Sequence, residues 1–384
     1  MADAFPYYAG FSFEWACSRI SGSQESGLLT ILDPWNGSGT TTLAANSRGH
    51  KALGIDRNPI ANVVASFRCT ASSSVVLCKT PGRGATPKRL DSTDPLFHWF
   101  DQETVSRFRD WTRKLAGCTP ATRALGIVAL FRVARLMTKS FEGTNPTWVK
   151  KASSEEERIH IPSVQLDQAI ATEQEFLFKR AQSSPRTDAP IALITADSGH
   201  LPIADRTVDV VLTSPPYLTR IDYAVAYSRE LAILGLDIFN DKKIRYALMG
   251  TTLTRNEFFN RETLGSVASA LLGKIEAHDS KASTGYYLKQ ARQYLTDLTC
   301  SLDEITRVSK FNGLMHLVVQ DSYYKDVPVA LADICIDESQ RRGWVLEERE
   351  NFPVRRLLTS LNKSARAYTK GEVAETVVTL RRKS

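Results

Sequence analysis

Short apolar runs broken by turn residues recur along the chain: LLTILDP (28–34), KALGID (51–56), IALITAD (191–197), VDVVLTS (208–214) and LMHLVVQD (314–321). Each reads as a buried strand, and WVLEERE (344–350) and ETVVTLRR (375–382) close the series. Between the first two, TTTLAANSRG predicts a helix stopped at Gly49, so the chain opens with a strand–loop–helix–strand unit. Strands alternating with helices in this way assemble most economically as a parallel, doubly wound α/β sheet.

Two stretches exceed what such a sheet needs. Residues 69–190 carry Pro/Gly/Ser punctuation (KTPGRGATPKR) and then FHWFDQETVSRFRDWTRKL and ATRALGIVALFRVARLM, both with helical periodicity. Residues 218–312 form a second, mainly helical excursion. The pattern predicts a catalytic domain in two parts, 1–68 and 191–384, split by a helical insertion at 69–190. At 384 residues the chain is longer than the ~100–200 typical of one domain, which agrees with an added lobe.

A net charge of +7 and a pI near 9.0 suit a polyanionic partner without requiring one. Six cysteines with no CxxC pair and no histidine at ligand spacing indicate neither a zinc site nor a disulfide framework, so no metal is expected. The amino-terminal residues lack a basic start followed by an apolar core, and no apolar run approaches the ~20 residues that span a bilayer. A soluble, cytoplasmic protein is the expectation.

Chemistry concentrates in two loops, each expected at the carboxyl end of a strand. The first is Asp33-Pro34-Trp35-Asn36-Gly37-Ser38-Gly39-Thr40-Thr41. Gly37 and Gly39 let the backbone approach a ligand, and the helix that follows offers N–H groups to a carboxylate. Asp56, 19 residues beyond Gly37, stands where dinucleotide folds place a ribose-binding acid. A tight turn with a capping aspartate explains the same residues. A nicotinamide or flavin site is disfavoured because Thr42 replaces the third glycine, and a P-loop because no lysine follows.

The second loop, Thr213-Ser214-Pro215-Pro216-Tyr217, follows VDVVL. Two prolines stiffen the backbone and remove two donors, leaving carbonyl oxygens to accept from a substrate N–H. An aryl amine is a weak nucleophile because its lone pair is delocalised. Hydrogen bonds from its protons to Ser214 Oγ and the Pro215 carbonyl would favour a pyramidal nitrogen, and Tyr217 offers a face on which an extruded base could stack. A rigid strand-ending turn is the alternative for this loop alone.

DPWNGSGTT resembles the DPFxGSGTT cofactor loop of the S-adenosylmethionine-dependent DNA amino-methyltransferases, and TSPPY resembles their catalytic tetrapeptide. GIDRNPIA (54–61), with Asp56 and Arg57, is similar to the segment carrying their ribose-binding acid, and ADSGHLPIADRTVDVVLTSPPY resembles their run into the catalytic loop. The likeness is specific over residues 28–65 and 191–235. It implies a Rossmann-like class I methyltransferase sheet and S-adenosylmethionine bound by Asp33, Pro34, Trp35, Gly37, Gly39, Thr40, Asp56, Arg57, Asp197 and Ser198, with Asp197 against the adenine ring. FSFEWACSRI (11–20) would be the helix closing over the methionine end. Ser214 at the head of the tetrapeptide implies methylation at N4 of cytosine; Asp or Asn there is typical of N6-adenine enzymes. Trp35 and Asn36 depart from the family's Phe and small residue, and the position of the long insertion departs from its standard motif orders.

Double-stranded DNA is the implied substrate, and a cognate restriction endonuclease is left open as a partner. Residues 69–190 are the candidate target-recognition region, with Arg83, Lys88, Arg89, Arg107, Arg109, Arg113, Lys114, Arg132, Arg135, Lys139, Lys150 and Lys151 available for phosphates. Trp148, in FEGTNPTWVKK, is placed to touch DNA or the flipped base, or simply to pack. Arg220, Asp222 and Tyr223 stay near the site by chain continuity, where they orient the base or start a helix capped by Asp222. Adenine N6, structured RNA and a non-catalytic recognition subunit remain as alternatives; monomer and dimer are not distinguished.

Overall fold

A computed structural model describes residues 5, 10–22, 27–70, 72–82, 91–143, 148–183, 185–218, 222–255, 264–280, 283–353 and 374–383. Its strands are β1 (Thr30–Asp33), β2 (Lys51–Ile55), β3 (Ile191–Ile194), β4 (Val208–Thr213), β5 (Ser309–Gln320), β6 (Ser322–Tyr324), β7 (Val327–Val329), β8 (Trp344–Pro353) and β9 (Ala374–Arg382). The first helices are α1 (Phe13–Gly22), α2 (Thr40–Ser47), α3 (Pro59–Cys69), α4 (Gln102–Ala116), α5 (Pro120–Met137) and α6 (Ser163–Gln182). They are followed by α7 (Tyr223–Ala226), α8 (Ser228–Ile233), α9 (Lys243–Ala247), α10 (Ser266–Glu276), α11 (Leu288–Val308) and α12 (Leu331–Gln340).

Seven strands form one sheet in the order β3-β2-β1-β4-β5-β9-β8, and β6-β7 is a separate hairpin. From β3 to β5 neighbours are parallel, whereas β9 runs antiparallel to both β5 and β8. With the hairpin set aside, this is a doubly wound sheet whose order reverses between β1 and β4. A crevice opens at the carboxyl ends of strands flanking such a reversal. β1 and β4 are buried nearly throughout, which is why they read as continuous apolar runs.

The expected strands all form. β5 begins at Ser309, inside the stretch expected to be helical, and its pairing with β4 is irregular near Val208–Val210. The hairpin was missed for a related reason: strands of three residues are too short to show a period.

Three apolar clusters organise the interior. One covers a sheet face with α1 and α2, and a second covers the other face with α10, α11 and α12. The third fills a helical lobe around Trp99, Phe108, Trp111 and Phe131 and includes Ile60, Val64 and Phe67 of α3 and Tyr227 and Leu231 beyond the proline loop. In α4, Asp101 caps the first turn through the Thr104 N–H (3.0 Å), and Val105, Phe108, Trp111 and Leu115 line one buried stripe. α5 is buried almost all round because α3, α4, α6 and α8 pack about it.

This lobe corrects the set of phosphate-binding candidates. Arg107 is buried and bonded to Asp167, Arg109 to Asp94, Arg132 to Glu173 and Arg135 to Glu230, while Arg113 pairs with Asp110 one turn earlier. Enclosed guanidinium groups need carboxylates, so Arg107, Arg109, Arg132 and Arg135 tie the lobe together, whereas Arg113, paired within its own helix, stays half exposed and Lys114, Lys139, Lys150 and Lys151 are exposed. Arg83, Lys88 and Arg89 lie outside the described residues. No described helix is long and apolar enough to cross a membrane, and no group of three or more His, Cys, Asp or Glu among the described residues could hold a metal.

Candidate active site

The loop after β1 turns sharply: Gly37 and Gly39 have φ of +50° and +82°. At Gly39 a Cβ would lie 2.7 Å from the Ala65 Cβ, so the close approach of α3 requires glycine there. Asn36 N–H donates to the Ile55 carbonyl (2.9 Å), and Gly37 N–H donates to Asp56 Oδ2 (2.9 Å), tying the loop to the end of β2. Asp56 Oδ1 also accepts from Asn58 N–H (2.8 Å), and Asn58 caps α3 through Ile60 N–H.

The proline loop is bound to the glycine loop directly. Thr213 Oγ1 donates to Asp33 Oδ1 at 2.5 Å, and Thr41 Oγ1 donates to the Leu212 carbonyl at 2.9 Å. Because β1 and β4 are parallel neighbours, both loops leave the sheet on the same side. They open onto one cavity of about 590 Å³, within the range of small-ligand sites.

Of the expected cofactor residues, Asp33, Pro34, Trp35, Gly37, Thr40, Asp56, Arg57, Asp197 and Ser198 line that cavity; Gly39 supports the turn from behind. Ser214 and Pro216 line it as well, whereas Pro215 is buried and Tyr217 is half-buried outside its lining. The Pro216 carbonyl accepts from Tyr294 OH (2.7 Å), so that oxygen of the proline pair is engaged within the protein. Tyr223 lines the cavity. Asp222 instead caps α7 through Val225 N–H (3.1 Å) and binds Arg245 (2.7 Å), the helix-start alternative. Trp148 is 73% exposed on a bridge between Glu142 and Val149, away from the cavity lining, and Arg220 lies outside the described residues.

Further lining comes from Phe11 of the amino-terminal segment, from Lys243, Tyr246 and Met249, and from Arg255, Gln293, Asp297 and Cys300. These were missed because they belong to helices and loops distant in sequence whose composition is ordinary; only Phe11 had a signal, in FSFEWACSRI. Across the mouth Arg57 pairs with Asp197, whose Oδ1 accepts from Gly199 N–H (2.9 Å), and Arg255 pairs with Asp297. Burial pushes Asp33 and Asp56 up from 3.8 to about 6, and at Asp56 the Asp33 charge adds to the rise. A cavity with two buried carboxylates at strand ends offers acceptors to ribose hydroxyls and a counter-charge to a cation, while the α2 start faces an anion. The donor set therefore fits S-adenosylmethionine.

Strand order and loop placement together define a Rossmann-like α/β fold of the class I methyltransferase type. No family model matches the chain. It is similar to the type II methyltransferase M.BsoBI of Geobacillus stearothermophilus, 27% identical over 287 residues, which cover 64% of this chain and 55% of that protein. It is also similar to the type II methyltransferase M.AvaI of Nostoc sp., 23% identical over 153 residues covering 36% and 31%. The chain thus spans about half the length of the first of these relatives and under a third of the second. Among solved structures, the rRNA methyltransferase aviRa of Streptomyces viridochromogenes covers 98% of this chain and 87% of its own, at 12% identity and a TM-score of 0.32. So slight a likeness leaves the fold to be defined by its own strand order.

Proposed function

We propose that this chain transfers a methyl group from S-adenosylmethionine to the exocyclic amino group of a base in double-stranded DNA, with N4 of cytosine as the target. The observation that carries the reading is the convergence of the glycine loop and the Ser-Pro-Pro loop on one cavity, joined by the Thr213–Asp33 hydrogen bond. The similarity to two type II methyltransferases supports it and favours a role beside a restriction endonuclease.

When bound, the donor supplies an electrophilic methyl on a sulfonium, whose S–C electron pair returns to sulfur as the N–C bond forms. Asp33, Asp56, Asp197 and the α2 start would hold it. Ser214 Oγ, which lines the cavity, accepts from an amine proton and turns the lone pair out of conjugation; Pro215 is buried behind the lining and stiffens the loop that carries Ser214. The surplus amine proton leaves to water. Tyr223 and Tyr246 supply aromatic wall for a base drawn out of the duplex. Ser214 at the first position favours cytosine, and residues 69–190 with Trp148 would read the DNA.

The test is methyl transfer to duplex DNA followed by mass spectrometry of the digested nucleosides. N4-methylcytosine is expected from wild type, falling at least ~100-fold in Ser214→Ala, the order of one lost transition-state contact. N6-methyladenine would move the target to adenine, product from RNA alone would move the substrate, and unchanged Ser214→Ala rates would overturn the mechanism.

A further inference from the structure

Arg68, in the last turn of α3, is only 5% exposed, and it grips the glycine loop from behind. Its Nη1 donates to the Ser38 carbonyl (2.9 Å), Ser38 Oγ (2.6 Å) and Thr40 Oγ1 (3.2 Å). Ser38 and Thr40 are themselves cavity wall. A guanidinium this deep normally faces a carboxylate. Arg68 has none among the described residues, and its Nε is buried without a hydrogen-bond partner. Its ionisable neighbour is Cys69, a thiol kept neutral because burial raises its pKa.

Arg186 repeats the anomaly beside the same thiol. All three of its guanidinium nitrogens are buried without a hydrogen-bond partner. The start of α2 on this loop has no side-chain cap and no acidic residue of its own in the first turn, and the carboxylate beside it is that of Asp33 at Thr41. The cavity is therefore polarised, with Asp33 and Asp56 negative at the strand ends and the Ser38–Thr40 edge backed by positive charge. A buried cation bonded to the back of the Ser38–Thr40 edge makes that edge the favoured place for an anion in the cavity.

We propose that Arg68 is a positioning residue that sets the Ser38–Thr40 edge to receive the ligand's carboxylate. This rests on the donor reading above, and it assigns the amino-acid end of the donor to that edge. Arg68 touches the loop rather than the ligand, so it acts through the backbone of Ser38 and the hydroxyl of Thr40 and through its field.

The experiment is calorimetric binding of S-adenosylhomocysteine and of its decarboxylated counterpart, which keeps the adenosine, thioether and ammonium and lacks only the carboxylate. Wild type is expected to prefer the carboxylate-bearing ligand by roughly tenfold, the scale of one partly screened charge interaction. Arg68→Met should lose that preference through weaker binding of S-adenosylhomocysteine alone, and Arg68→Lys should retain most of it. Equal weakening of both ligands in Arg68→Met overturns the proposal, because a merely structural role would act on both. Should Arg68→Met not fold, Arg68→Gln carries the test: a reduced preference supports the proposal and an unchanged one overturns it. Wild type that binds neither ligand strikes the donor reading itself, an outcome distinct from either.

Discussion

Two aspartates at the strand ends carry a cost that only their surroundings explain. Asp33 and Asp56 were legible as candidate ligands from their spacing; that both resist ionisation was not, since desolvation depends on what packs over them. Their folded values, about 6, lie above the ordinary 3.8. Their contribution to stability is thus complete below pH 3.8 and is lost as the pH rises through about 6. The urea midpoint of the ligand-free protein should fall across this window, and Asp56→Asn should reduce the fall. Parallel pH profiles for wild type and variant would contradict it.

At the scale of elements, amphipathic period and caps announced α4 and α5, but not which charges would be enclosed between helices. Arg135 of α5 meets Glu230 of α8 at 2.7 Å, and the Glu230 side chain is wholly buried. Removing one partner of such a pair strands the other charge. Glu230→Ala should destabilise the protein by about 3–5 kcal/mol in chemical denaturation. Arg113→Ala, which breaks only the exposed one-turn pair with Asp110, should cost under about 0.5 kcal/mol. Similar losses in the two variants would show that the helical lobe does not depend on its enclosed charges.

For the molecule as a whole, charge counting overstated the basic surface, because arginines that looked available for DNA are absorbed into helix–helix pairs. What stays outward on the lobe is smaller: Arg113, Lys114, Lys139, Lys150, Lys151 and Trp148 are exposed, and the Lys151 ammonium sits 4.5 Å from the centre of the Phe239 ring. If this face meets the duplex, Trp148→Ala with Lys150→Ala should weaken DNA binding measured by fluorescence anisotropy. The salt dependence should become shallower by about one unit while the melting temperature stays within a degree or two. Undiminished binding would remove this face from the interface.

The local pattern alone determined the seven strands of the main sheet, the glycine loop and the proline loop, because strand burial, glycine dihedrals and proline rigidity are properties of short segments. Tertiary structure decided the rest. It joined Thr213 to Asp33, replaced Tyr217 by Tyr223 on the cavity wall, turned Asp222 into a helix cap and, among the described residues, left Arg68 without a carboxylate partner. Distances between chain-distant groups and their loss of water are set only when the layers close.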